Sequence, residues 1–264
     1  MAVLELHHNA LSSCSQKVRL ALAEKGLEFT SHEVDLLTGE QHAPGYVKLN
    51  PKHVVPTLLH DGGVLTESTL INEYLDDAFP EPALLPASPA ARHAARRWVK
   101  RIDDEVHPAA GVLTYAIGAR QVALAQPPEA REAAIAAIPD PDRRAVRRSV
   151  IEHGVAAPEF AGALARFVDL LDDMNTALAT SPWLTGAAFG LADAAALPYV
   201  LRLEHLAMTK AIDDRTRTAD WLARVKARPA YAEAVARWLP AAVIELLRQQ
   251  GEAVWSEVEP LTRH

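Results

Sequence analysis

The chain has 264 residues, 49% hydrophobic and 23% charged, a balance ordinary for folded proteins that excludes wholesale disorder. Its 27 Lys and Arg stand against 34 Asp and Glu, and the net charge of −7 excludes the basic excess of a general nucleic-acid binder. No apolar run approaches the ~18 residues of a membrane span, and the single cysteine, Cys14, excludes an internal disulfide. The start MAVLELHHNALSSC has neither the basic head nor the long apolar stretch of a signal peptide, so a cytoplasmic protein is expected.

VLEL at 3–6 predicts a short strand, followed by a loop through His7, His8 and Asn9. From about Ser15 to Lys25 the spacing predicts a helix with Val18, Ala21 and Leu22 on its inner face and Gly26 at its C′ position. LEFTSHEVDL at 27–36 alternates as a strand does, and VVPTLLHDGGVL at 54–65 predicts two strands around a turn at Asp61-Gly62-Gly63. After Ser68, the residues Leu70, Ile71, Tyr74, Leu75 and Ala78 repeat at helical spacing until Pro80. The order β-α-β-loop-β-β-α describes a small α/β domain. Prolines at 80, 82, 86 and 89 form a stiff joint, and the chain beyond is Ala-rich and helical. Its clearest helix covers about 157–180, with Phe160, Leu164, Phe167, Leu171, Met174 and Leu178 at 3–4 residue spacing, and 126–142 reads as a helix bracketed by prolines.

Three places on the first 85 residues could carry chemistry. Ser12-Ser13-Cys14-Ser15 opens the first helix, where unpaired N–H groups and the positive dipole end stabilise a thiolate, and a serine hydroxyl can donate to it. The plainer alternative is a serine N-cap beside a small buried cysteine. Val55-Pro56 heads a strand, and because proline is confined to strand starts and edges, backbone groups there stay available to an extended peptide ligand. Thr66-Glu67-Ser68 precedes the second helix; Ser68 as N-cap explains the serine, while Glu67 could hold an ammonium and the helix amides a carboxylate. A thiol, a peptide backbone and an α-amino acid head meet in one common cellular molecule, glutathione.

The ordered series SSCSQKVRLALAEKG, LNPKHVVPTL, DGGVLTESTLINEYLDDAFP and PWLTGAAFGLADAAALP resembles the cytosolic glutathione transferases over most of the chain. The first motif is most similar to the zeta-type pattern and to bacterial glutathione-dependent isomerases and reductive dehalogenases. The run GEQHAPGYVKLNP resembles bacterial transferases of the lignin β-etherase kind. The resemblance implies a thioredoxin-like α/β domain at 1–84 that binds glutathione. It also implies an all-α helical bundle at 90–264 that carries the pocket for a small hydrophobic electrophile, and a homodimer.

Carried over by position, Ser12 is the donor to the glutathione sulfur, and Cys14 is the motif cysteine that reacts in dehalogenase-like relatives. Val55, before Pro56, pairs with the cysteinyl unit, and Glu67 with Ser68 holds the γ-glutamyl end. Gln41, His42 and His53 stand near the glycine carboxylate. Val54 replaces a common Gln, His53 replaces Lys or Arg, and Gly190 replaces the Ser or Thr that usually caps three residues before Asp193. Glutathione is thus expected as co-substrate, with no metal: His7 and His8 alternate to opposite faces and lack ligand partners at suitable spacing. Arg92, Arg96 and Lys100, then Arg97 and Arg101, then Arg143, Arg144, Arg147 and Arg148 form basic faces expected to be solvated. Trp98, Trp183, Trp221, Trp238 and Trp255 are expected in the core or at interfaces. The leading expectation is a transferase that adds the glutathione thiolate to an electrophile. Its rivals are a Cys14-based isomerase, β-etherase or reductive dehalogenase, and a non-catalytic glutathione-fold binding module.

Overall fold

The computed structural model describes residues 3–263. They fall into two compact units, one comprising the chain up to Val99 with Ser181–Pro198 and Ala223–Leu239, the other Lys100–Thr180, Tyr199–Leu222 and the chain from Pro240.

The first unit is built on a four-stranded sheet, β1 (Leu4–His8), β2 (Thr30–Glu33), β3 (Thr57–His60) and β4 (Gly63–Thr66), in the order β2-β1-β3-β4. β1 runs parallel to β2 and antiparallel to β3, and β3 and β4 form a hairpin. The side-chain period of two buries Leu4, Leu6 and His8 on one face of β1 and leaves Glu5 and His7 partly exposed. The hairpin turn is made by Asp61 (φ 48°) and Gly62 (φ 83°), two positive-φ residues, which is the two-residue turn whose twist matches its strands. Gly63 already belongs to β4.

Helix α1 (Ser13–Glu24) follows β1 and starts two residues earlier than its apolar pattern suggests, because Ser12 is the N-cap. It ends as expected at Gly26 (φ 63°): Gly26 N–H donates to Ala23 O and Leu27 N–H to Leu22 O, the paired bonds of a Schellman motif. That use of Leu27, and an Asp35 side chain that accepts from Leu37 N–H, cut the strand expected over 27–36 to four residues. The strand expected from Val54 begins only at Thr57, since Val54 O is taken by Tyr46 Oη (2.7 Å) and Asn50 Nδ2 (2.9 Å) instead of by a neighbouring strand. Between β2 and β3 lies the short helix α2 (Pro44–Val47), and β4 leads into α3 (Ser68–Ala78).

The rest of the chain is helical: α4 (Pro89–Arg101), α5 (His107–Leu113), α6 (Arg120–Leu124), α7 (Pro128–Ala136), α8 (Pro141–His153), α9 (Phe160–Ala177), α10 (Leu191–His205), α11 (Thr209–Asp213), α12 (Thr216–Lys226), α13 (Pro229–Ala234) and α14 (Ala241–Val258). The proline-bracketed segment resolves into α7 and the start of α8. In the first unit α1 packs on α3 and α13. Asp193 at the start of α10 accepts from Gly190 N–H (3.1 Å) and Leu184 N–H (3.0 Å). A Cβ on Gly190 would sit 2.6 Å from Leu84 O, so close backbone approach explains the glycine where a capping Ser or Thr is usual.

In the second unit α9 buries Phe160, Leu164, Phe167, Leu171 and Met174 and packs on α5. Two π turns, Ile102–Val106 and Thr114–Gly118, flank α5, and the second packs against α14, where a Cβ on Gly118 would run into the Leu247 side chain. The basic faces expected to be solvated are engaged instead: Arg96 pairs with Glu73 (2.8 Å), Arg101 with Asp173 (2.5 Å) and Arg148 with Glu132 (2.8 Å), and Arg147 lies over the Tyr115 ring, 3.1 Å from its centroid. Of the five tryptophans Trp221 alone is fully buried; the others are half-buried. No helix among the described residues is long and apolar enough to cross a membrane.

Candidate functional site

The register of the sheet decides where the expected residues emerge. His7 pairs with Thr57, Thr57 with Thr66, and His8 with Glu33, so the C-terminal ends of β1, β2 and β4 and the start of β3 all lie at one end of the sheet. Ser12 is four residues beyond β1, Val55 two before β3, Glu67 directly after β4, and the segment with Gln41 and His42 follows β2. Backbone topology brings the sequence-predicted residues to one edge.

At that edge the first loop is tied down closely. Asn9 N–H donates to Ser15 Oγ (3.2 Å), Asn9 Nδ2 to Val34 O (3.1 Å), and Asn9 Oδ1 accepts from Leu11 N–H (3.0 Å). Beneath it the Arg19 guanidinium donates to Asn9 O (3.0 Å), Ala10 O (2.9 Å) and Ala234 O (2.7 Å), and to His8 Nδ1 (2.9 Å). Because arginine only donates, His8 Nδ1 accepts, its proton sits on Nε2, and that N–H donates to Ser31 Oγ (2.8 Å). Burial first and the Arg19 charge second push His8 down to about 3, so the ring is neutral at pH 7. Arg19 itself is lowered to about 9 by burial. In the sequence His8 drew only the metal-ligand reading that its spacing argues against, and Arg19 hid in the helical pattern.

Ser12 Oγ accepts the Ser15 N–H at 3.2 Å. A hydroxyl that accepts one bond keeps its hydrogen, so Ser12 can cap the helix and donate to a bound anion together. Cys14 lies in the first turn of α1, half-buried and in no disulfide.

Val55 is buried with Val34 and Tyr46, lies outside the sheet's ladder, and its peptide bond to Pro56 is cis. Gln41, His42 and His53 form one string: Gln41 Nε2 is 3.1 Å from His42 Nε2, and His42 Nδ1 is 2.9 Å from His53 Nδ1. Burial, then His53, lowers the pKa of His42, so the pair does not hold two protons face to face. His53 is in the left-handed region (φ 57°).

Glu67, not Ser68, occupies the N-cap position of α3; Ser68 is the first helical residue and is buried. Glu67 has φ 68° and ψ 104°, a conformation that costs of order 1–3 kcal/mol in a non-glycine residue and persists at sites where the surroundings impose it. Its carboxylate meets the solvent-exposed Lys52 Nζ at 2.7 Å, and the hydrogen bond to Glu67 raises the Lys52 pKa; no local sequence signal marks this pair. Among the described residues no group of three or more His, Cys, Asp or Glu could hold a metal ion.

Comparison with known proteins converges on one family. The family model described as Glutathione S-transferase, N-terminal domain, matches residues 11–78, and that described as Glutathione S-transferase, C-terminal domain, matches 130–239. The tetrachloro-p-hydroquinone reductive dehalogenase of Sphingobium chlorophenolicum is 30% identical over 246 residues, 89% of this chain and 96% of that protein. Protein LigF of Sphingobium sp. strain SYK-6 is 41% identical over 122 residues, a match spanning 46% of this chain and only 48% of LigF's length. The crystal structure of β-etherase LigF superimposes with a TM-score of 0.78 at 30% identity, covering 88% of this chain and 98% of that one.

Proposed function

The chain belongs to the glutathione S-transferase family of enzymes, and on that premise we propose that it ionises the glutathione thiol and adds the sulfur to a hydrophobic electrophile. The carrying observation is Ser12, an N-cap with an uncommitted hydroxyl hydrogen, at the sheet end where Val55 and Glu67 also emerge. A free thiol with pKa near 8.5 is only a few per cent ionised at neutral pH. The α1 amides, the dipole end and the Ser12 O–H lower that value, each unit contributing about 1.4 kcal/mol to the thiolate. Val55 would bind the cysteinyl backbone, Glu67 and Ser68 the γ-glutamyl head, and Gln41, His42, His53 and the Val54 backbone the glycine end. To reach the ligand's ammonium Glu67 exchanges Lys52, an exposed partner whose release costs little. The thiolate forms the S–C bond, and a leaving group, where there is one, departs with its electron pair.

Residues 1–84 are assigned to glutathione and 90–264 to the electrophile, in a cytoplasmic homodimer. The full-length similarity to a reductive dehalogenase and the structural similarity to a β-etherase favour one narrower reading, in which the electrophile is an aryl ether or halogenated phenol and Cys14 takes part. Turnover of chlorinated aromatics, aryl ethers and chlorinated hydroquinones with glutathione, by wild type and Cys14→Ala, decides between them. Retention on immobilised glutathione with no turnover of any of the three would refute the catalytic proposal.

A further inference from the structure

Gln41, His42 and His53 form a hydrogen-bonded string whose protons can be counted. Gln41 Nε2 only donates, so His42 Nε2, 3.1 Å away, accepts, and the His42 proton sits on Nδ1. That N–H donates to His53 Nδ1 at 2.9 Å, which puts the His53 proton on Nε2, the end of the string remote from Gln41. The other amide atom, Gln41 Oε1, is buried and meets no donor. A buried acceptor left bare is costly, and here it marks a second arrangement of the same three residues. Building on the glutathione site proposed above, we propose that the string is a proton-coupled clamp for the ligand's terminal carboxylate: the pair of imidazoles takes up one proton as the carboxylate arrives at His53, and the Gln41 amide turns over to keep the string bonded.

The proton balance requires the turn. The bridging proton crosses from His42 Nδ1 to His53 Nδ1, and a proton from solvent fills His42 Nε2, a net uptake of one. His53 then donates from both nitrogens and carries the charge, with Nδ1–H on His42 and Nε2–H for the carboxylate. The new His42 Nε2–H would face the Gln41 NH2, donor against donor, until the amide rotates and brings Oε1 to it. That rotation also satisfies the buried acceptor. Without an anion the extra proton is held poorly, since burial first and His53 second lower the pKa of His42.

The ionisable groups around the pair have other partners. Glu40, on the same turn as His42, accepts Asp35 N–H (2.7 Å), and the Asp35 carboxylate accepts Leu37 N–H (2.8 Å). Tyr46 of α2, which packs on that turn, donates its hydroxyl to Val54 O, and Lys48 is exposed. Lys52, beside His53, pairs with Glu67 (2.7 Å), which raises its pKa. Released on binding, Lys52 stays charged through neutral pH, so it adds attraction but takes up no proton. The backbone under His53 is fixed: its N–H donates to Asn50 O (3.0 Å), the buried Asn50 side chain also holds Val54 O, and φ is 57°. A ring placed this firmly meets a carboxylate in one orientation.

The test is calorimetric titration of S-methylglutathione into the full chain, in two buffers of different ionisation heat, which counts the protons exchanged. This probe has no thiol proton to lose, and its remaining groups do not titrate between about pH 6 and 8. Near neutral pH binding should take up about half to one proton per chain, and the dissociation constant should rise at least about threefold from about pH 6.5 to 8. The C-terminal amide of the probe should bind more weakly and take up no proton. His53→Lys should keep binding and lose both the uptake and the pH dependence; Gln41→Leu, which offers His42 no acceptor, should lower the uptake. Binding without proton uptake, uptake that persists with the amide, or a wild-type pH profile in His53→Lys would each overturn the clamp and leave the glutathione site standing. Failure of S-methylglutathione to bind at any pH in that range would refute the glutathione reading itself, and the clamp with it.

Discussion

Replacing Ser12 by Ala removes two separable things. The first is the cap: Ser12 Oγ accepts Ser15 N–H at 3.2 Å, and losing a serine N-cap costs about 1 kcal/mol. For a chain of this size that lowers the melting temperature by roughly 2–4 °C. The second is the donor. A hydrogen bond to a charged partner contributes about 1.5–3 kcal/mol, and at 1.36 kcal/mol per unit its loss raises the bound thiol's pKa by roughly 1–2 units. Conjugation at pH 7 should fall about tenfold or more, and the deficit should close above the raised pKa, where the thiol ionises without help. Glutathione affinity should barely change, because Val55, Glu67 and Ser68 are untouched, and Ser12→Thr should retain both functions. Thermal melts report the cap; the ultraviolet absorbance of the bound thiolate, titrated against pH, reports the donor. A lowered melting temperature with an unmoved thiolate titration would show that Ser12 is only a helix cap, and loss of turnover in Cys14→Ala alone would hand the chemistry to the cysteine.

Three further outcomes test the rest of the account. Glu67→Ala and Glu67→Gly should both weaken glutathione strongly in equilibrium dialysis, yet the glycine variant should melt higher than the alanine one, by about 1 kcal/mol, since φ 68° suits glycine alone; equal melting temperatures would deny the strain. His8 has its folded pKa depressed, so its contribution is fully present above pH 6.5 and is lost as pH falls towards about 3. A shift of that size is worth of order 5 kcal/mol, and urea melts between pH 7 and 4 should show a shallower decline in His8→Gln; identical pH slopes would exclude the buried neutral ring. Gly190→Ser restores the capping sequence usual in relatives, yet it should destabilise by about 1–3 kcal/mol, because its Cβ would lie 2.6 Å from Leu84 O; a stabilised variant in a denaturant melt would disprove the close approach.

The amino-acid sequence alone was enough for the elements whose causes are local. Apolar spacing placed α1, α3 and α9, Gly26 marked the end of α1, and Asp61-Gly62 marked the hairpin, because helix periodicity and positive-φ turns are written in neighbouring residues. The order of the motifs pointed to the family that the comparisons show. What depended on distant chain segments was beyond it. The strand expected at 27–36 shrank because Leu27 was claimed by a helix cap, and the one expected at 54 began late because Tyr46 and Asn50 hold the Val54 carbonyl. Ser68 read as an N-cap, but the backbone gave that position to Glu67.

At the site the division is the same. Residue types at a helix start and a strand start named Ser12, Val55 and Glu67, while only the pairing of β1, β3 and β4 carried them to one end of the sheet. Arg19 is the sharpest case. In sequence it is one more charge within a helical pattern, and nothing within a few residues marks it. Tertiary packing buries it under the Asn9–Ala10 loop and against Ala234, 215 residues away. A charge is read as solvated until the fold supplies enough carbonyls to replace its water, and those acceptors come from segments that sequence spacing does not bring together.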